Sequence, residues 1–281
     1  MFDRIKRSFD LVRASIQVLR QDNHLLLFPI LSSVALVLVL VAFALPVFGL
    51  ASIDGIGEGG LYGAAFLFYV VQYVVIFYFN AALVGAVMIR LDGGTPTLGD
   101  GLRIANSRFP AILGYAVISA TVGVILRAIQ ERLGVVGRLV IGLVGAAWAV
   151  ATFMVVPVIV VRDSGAIDAI SESTSLLKRT WGENVVGQTG LGAAFGVIYF
   201  GLATVTSLLA VPLMLNVRAV SPALFIVFAI VVLLAVLACI LFHATLSGIY
   251  AAVLYRYASD GRGTPGFDQS VLDASFVRKS K

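Results

Sequence analysis

The chain alternates between long, unbroken apolar runs and short polar interludes. Runs rich in Val, Leu, Ile, Ala, Gly and Phe occupy 25–50, 61–89, 110–126, 139–161, 185–215 and 222–255. A helix that crosses a membrane takes about 20 predominantly apolar residues. The pattern therefore predicts about six transmembrane helices. The run at 110–126 is the shortest, and several others exceed the minimum, which leaves room for tilt. Pro46, Pro157 and Pro212 fall inside or near the ends of these runs. Each lacks a backbone donor and is expected to bend its helix.

The interludes carry a different period. In "VVRDSGAIDAISESTSLLKRTWGENVVG", Ile167, Ile170, Thr174, Leu177 and Trp181 recur at three- and four-residue spacing, with Asp168, Glu172, Lys178 and Arg179 on other faces. That spacing predicts an amphipathic helix rather than the alternative, a solvated loop. Asp163 or Ser164 suits its N-cap, and Gly182 its end. Such a helix can lie along the membrane surface with its stripe in the interface. Ile170, Leu177 and Trp181 are then the candidate interfacial anchors, with Trp181 at headgroup depth.

Three interludes look alike. "RLDGGTPTLGDGLRIANSRFPAI" begins at Arg90, "VRDSGAIDAISESTSLLKRTWGEN" at Val161 and "YASDGRGTPGFDQSVLDASF" at Tyr257. Each runs from the end of a span through Asp and Gly into an amphipathic stretch. The start, "FDRIKRSFDLVRASIQVLRQDNH", reads as the same helix without a preceding span. The predicted unit is an amphipathic helix followed by a two-span hairpin, repeated over about 1–89, 90–161 and 162–257. The expected fold class is all-α: a polytopic membrane helix bundle of three hairpins with interfacial amphipathic helices. It forms a single membrane domain, 1–258, followed by a cytoplasmic tail, 259–281.

Composition agrees. Hydrophobic residues make up 60% and charged residues 12%, against about a quarter charged in soluble domains. The net charge of +5 sits beside the apolar runs. Arg4, Lys6, Arg7, Arg13 and Arg20 precede the first run, Arg90, Arg103 and Arg108 follow the second, Arg162, Lys178 and Arg179 follow the fourth, and Arg256 and Arg262 follow the sixth. The excess of basic residues on cytoplasmic loops then puts both termini in the cytoplasm. Arg127, Arg132 and Arg138 run against that rule. Anionic lipid headgroups on the cytoplasmic side, and an unidentified membrane-protein partner, are the expected partners. Nucleic acid is not, because no basic-aromatic module is present. The first run is longer than the about 7–15 residues of a signal peptide's apolar core and is expected to be retained.

Candidate chemistry is sparse. Cys239 is the one cysteine, and His24 and His243 are the two histidines. These cannot supply the about four ligands of a zinc shell or an HExxH motif. No Asp, Glu, Lys or Arg lies well inside a predicted span, where ionisable groups mark proton and ion pathways. The expectation is therefore no catalytic residue, no metal, no cofactor and no enzymatic activity. Gln72, Asn80, Thr204 and His243 form a candidate polar path. For Gln72 and Asn80 the favoured alternative is interhelical hydrogen bonding, worth about 0.6 kcal/mol on average. The expected function is a non-catalytic scaffold or accessory protein that engages lipids or partners through cytoplasmic-side amphipathic helices. The alternative is a passive or weakly coupled conduit for a small or amphiphilic solute.

"VVPVIVVRDSGAIDAISESTSLLKRTWGENVVGQTGLG", with the start "FDRIKRSFDLVRASIQVLRQDNHLLLFPIL" and the end "GFDQSVLDASF", resembles an uncharacterised prokaryotic family of multi-span membrane proteins, a domain of unknown function. The resemblance covers the whole chain. It implies six spans and a plasma-membrane location, and it brings no activity and no functional residues.

Overall fold

The computed structural model describes residues 16, 18–20, 22–49, 58–180, 195–208 and 222–260. The described residues form helices and the turns between them, with no strand among them. A 3-10 turn, Asn23–Leu26, leads into α1 (Leu27–Gly49). Then come α2 (Glu58–Leu91), α3 (Leu98–Ser107), α4 (Phe109–Glu131), α5 (Val135–Ala151), α6 (Val155–Arg162) and α7 (Ala166–Thr180). They are followed by α8 (Phe195–Leu208) and α9 (Pro222–Asp260). Five segments are long and apolar enough to cross a membrane: Asn23–Leu45, Tyr62–Leu91, Phe109–Glu131, Val135–Arg162 and Ile226–Arg256. The molecule is an all-α membrane helix bundle. Of the predicted span 185–215, only α8 is described. Trp181, the first 15 residues and the tail beyond 260 lie outside the described residues.

α2 is the hub and packs against α1, α3, α4, α6 and α9. Its end is a Schellman turn: the N–H of Gly94 donates to the Ile89 carbonyl and that of Gly93 to the Arg90 carbonyl, both at 3.0 Å. Gly93 takes φ 86° there, a left-handed conformation that favours glycine. So "LDGGTP" stops a long helix and turns the chain back. Thr97 then caps α3. Its hydroxyl accepts from the Asp100 N–H at 3.2 Å, and the Asp100 carboxylate accepts from the Thr97 N–H at 3.1 Å. This is a reciprocal capping box. α3 lies so close to its neighbours that a Cβ on Gly101 would stand 2.5 Å from Phe28 Cζ and 2.6 Å from the Ala82 carbonyl oxygen.

Two elements depart from the apolar pattern. α4 runs on to Glu131, beyond the predicted end at 126. Its terminal charge is neutralised: Arg127 donates from Nε to Glu131 Oε1 at 3.1 Å and from a guanidinium nitrogen to the Tyr69 hydroxyl at 2.9 Å. The apolar run 139–161 reads as one helix but breaks between Ala151 and Val155. Pro157 explains the break. It cannot donate to the carbonyl four residues back, and its ring clashes there in a continuous helix, so it sits instead in the first turn of α6.

The core gathers at one end of the bundle. Leu25, Phe28, Val84, Val87, Ile112, Val155, Val158, Ile159, Leu246 and Ile249 are almost fully buried there. Ion pairs stitch separate elements around it: Arg90 to Asp22 at 3.3 Å, Arg162 to Glu172 at 3.0 Å, Arg256 to Asp92 at 2.6 Å, and Arg108 to Asp163. The other half is open, with Leu38, Leu45, Leu139, Leu143, Val227 and Leu234 all exposed. Exposed aliphatic side chains of this kind suit contact with lipid tails.

Candidate functional site

The fractured fourth span is the centre of the candidate site. At its break, α7 inserts Ser173, which is wholly buried. The Ser173 hydroxyl donates to the Ala151 carbonyl at 2.7 Å and accepts from the Met154 N–H at 3.2 Å. One side chain thereby satisfies a backbone acceptor and a backbone donor at the interruption. Thr152 occupies the break itself and donates back to the Trp148 carbonyl at 2.9 Å.

Beside the break lies a cavity of about 400 Å³ between α2, α4 and α5. Tyr73, Phe77 and Asn80 of α2, Tyr115 and Ser119 of α4, and Trp148 and Thr152 line it. These positions share one face of each helix because they recur at three- and four-residue spacing. The rings stack: Tyr73 on Phe77 at 5.5 Å between centroids, and Phe77 on Tyr115 at 4.3 Å. Ser119 is 5% exposed, and no hydrogen bond of good geometry reaches its hydroxyl. The Tyr115 hydroxyl lies within reach of those of Thr152 and Ser119. No Asp, Glu, Lys, Arg or His lines this space.

A second pair of hollows opens at the ion-paired end. One, about 370 Å³, is lined by Arg162, Asp168, Glu172 and serines of α7. The other, about 240 Å³, is lined by Asp92, Arg162, Tyr255 and Arg256. Arg162 and Ser259 belong to both. Arg162 Nε contacts Glu172 and also donates to the Tyr255 hydroxyl at 3.2 Å. Cations and anions alternate along these walls, so neither hollow presents a field of one sign. Beside this end, hydrogen bonds from the Thr97 hydroxyl and N–H hold the exposed Asp100 carboxyl below the usual carboxylate range, and Arg103 adds to the effect.

The sequence-derived residues fall in separate places. Asn80 lines the cavity, whereas Gln72 is half-buried on α2 and is not part of that lining. Thr204 is exposed on α8 and donates to the Phe200 carbonyl of its own helix at 2.8 Å. His243 stacks on Phe195, with centroids 4.2 Å apart, and its Nδ1 lies 3.3 Å from the Tyr199 hydroxyl. Among the intended surface anchors, Leu177 is 6% exposed and Ile170 packs against the same core. Ile167, from the same predicted stripe, is 74% exposed. The buried face of α7 is Ala166, Ala169, Ser173, Leu176 and Leu177, because the helix beds on α6 and α4. Trp181 lies outside the described residues.

Ser119, Tyr115, Tyr73 and Trp148 are not evident from composition, since Ser and Tyr are ordinary in apolar helices. Their common signal is the face-sharing spacing on α2, α4 and α5. Among the described residues, no three His, Cys, Asp or Glu side chains gather as a metal site would require.

Comparison with curated proteins gives no match, and comparison with solved structures gives none. The model of a family of unknown function (DUF6159) matches residues 59–267, most of the chain from the first residues of α2 to beyond α9, and the chain belongs to that family.

Proposed function

We propose that this protein is a non-catalytic scaffold of a prokaryotic plasma membrane, with both termini in the cytoplasm, whose packed end engages anionic lipid headgroups and a membrane-protein partner. The observation that carries the reading is how α3 and α7 use their surfaces. Both spend their inner faces on the bundle, through Gly101 and Ala105 in one and Ala169, Ser173 and Leu177 in the other. Their outer faces hold Arg103, 79% exposed, and the exposed Lys178. Inter-element ion pairs hold that platform in place before any partner arrives, which lowers the ordering cost of binding. The basic residues of the outer faces lie where a membrane's anionic surface would attract them.

The test is native mass spectrometry of the full chain purified with mixed phosphatidylglycerol and phosphatidylcholine. The wild type is expected to retain phosphatidylglycerol preferentially. The double variant Arg103→Glu, Lys178→Glu is expected to lose that preference with unchanged thermal unfolding. An unchanged preference would overturn the headgroup reading.

A further inference from the structure

The two hollows at the ion-paired end adjoin, since Arg162 and Ser259 line both. They differ in charge and in depth. The smaller has two guanidiniums, Arg162 and Arg256, to one carboxylate, Asp92. The larger has two carboxylates, Asp168 and Glu172, to one guanidinium, Arg162. Three apolar spans end here, at Leu91, Arg162 and Arg256, which sets the headgroup level. The smaller hollow sits at that level, with Met88 and Val161 in its wall. The larger lies farther out, walled by Asp168, Ser171, Ser175 and Ala258 from past the span ends. We propose that the pair holds one phospholipid with a zwitterionic head, its phosphate in the smaller hollow and its primary ammonium in the larger: phosphatidylethanolamine. The proposal shares with the scaffold reading only the placement of this end among headgroups, and it uses neither Arg103 nor Lys178.

The order of charges along the lipid matches the order of the walls. From the bilayer outward, the molecule runs acyl chain, phosphate, ammonium. From the spans outward, the protein runs Val161, which is 47% exposed, then Arg256, then Asp168. Arg256 reaches Asp92 through one guanidinium nitrogen, and a planar guanidinium carries five donors in a fork that suits phosphate. Asp168 is exposed and has no ion-pair partner among the described residues. A primary ammonium brings it both a charge and N–H donors.

Other heads fit less well. Phosphatidylglycerol offers the same phosphate but a neutral glycerol to the carboxylates. Phosphatidylserine adds a carboxylate on the side where Asp168 and Glu172 already outnumber the cation. Choline carries the charge without an N–H to donate. A water-soluble amine phosphate makes no use of Met88 and Val161.

The test is native mass spectrometry of the full chain, titrated with phosphatidylethanolamine, its N-monomethyl and N,N-dimethyl derivatives, and phosphatidylcholine, all with the same acyl chains. The series removes the ammonium donors one at a time and leaves the phosphate unchanged. No phosphatidylglycerol is present, so failure here is separate from failure of the headgroup reading at Arg103 and Lys178. Retention of one lipid is expected to fall along the series, with phosphatidylethanolamine held about three- to tenfold tighter than phosphatidylcholine. Asp168→Asn should erase that difference without changing thermal unfolding. Arg256→Gln should weaken all four lipids together. If Arg256→Gln does not fold, Asp168→Asn and the methyl series decide. Equal retention of all four lipids, or a preference that survives Asp168→Asn, overturns the proposal. Displacement by tail-free glycerophosphoethanolamine at the same concentration means a site for a water-soluble amine phosphate, and overturns it too.

Discussion

The two halves of the bundle solve the same packing problem in opposite ways. Around Gly101 the helices approach until a single added carbon would strike Phe28 and the backbone of Ala82. Around Gly142, in the open half, nothing lies within 4 Å of the same added carbon. The amino acids are alike, so composition does not explain the difference. Where water is the alternative environment, burial of apolar area drives close packing. Inside a bilayer the lipid tails are as apolar as leucine, and helices gain little by excluding them. Dense packing is therefore found where short helices, turns and charges meet, and the open half can leave its leucines to lipid.

The largest test of this contrast is a pair of leucines. Leu177→Ala in the packed end should cost about 2–5 kcal/mol by leaving a cavity. Leu143→Ala, at a position 65% exposed, should change stability by no more than about 0.5 kcal/mol. Denaturant unfolding of both variants in the same detergent makes the comparison, and equal losses would break it.

A smaller effect sharpens the role of the helix break. Ser173→Ala strands the buried Met154 N–H and the part-buried Ala151 carbonyl, and should cost about 1–3 kcal/mol. Amide exchange should rise around the break and nowhere else in the span. The matched substitution, Thr204→Ala, removes only a bond within one exposed helix and should have almost no effect. If the two behave alike, Ser173 is not a staple.

The smallest effect is on pH. The Asp100 pKa in the folded chain lies below its unfolded value of 3.8, chiefly because of the hydrogen bonds from Thr97. Its contribution to α3 is therefore complete above that unfolded value and is lost as pH falls through the lower folded one. Amide resonances of α3 followed by NMR through the acid range should show the helix start loosening. Asp100→Asn should remove that transition, and a transition that persists in the variant belongs to another carboxylate.

Helix existence was easy to read. The apolar runs at 25–50, 61–89 and 222–255 became α1, α2 and α9 with small shifts at the ends, because twenty or more apolar residues leave a chain few other options. The amphipathic stretch from 166 became α7, but its buried face was less legible. Periodicity pointed to Ile167 and Thr174 as part of the stripe, whereas packing on α6 chose Ala169, Ser173 and Leu176. Ala169 and Ser173 won their places because small side chains allow closer approach, which a hydrophobicity pattern does not register. Asn80 was legible as a polar residue in an apolar span. Ser119 was not, since its place in the cavity wall depends on helices far apart in the chain.

What the sequence determined by itself was the membrane character, the helices and the places where they stop: Gly93 for the turn after α2, Thr97 and Asp100 for the start of α3, and Pro157 for the break in the fourth span. These are local effects of backbone geometry and hydrogen bonding. Only the tertiary structure decided that Ser173 enters the break, that Arg162 meets both Glu172 and Tyr255, and that aromatic faces of α2 and α4 and the Trp148 face of α5 surround a cavity. Each of those depends on residues far apart in the chain arriving within hydrogen-bonding or stacking distance, and hydropathy alone leaves such meetings open.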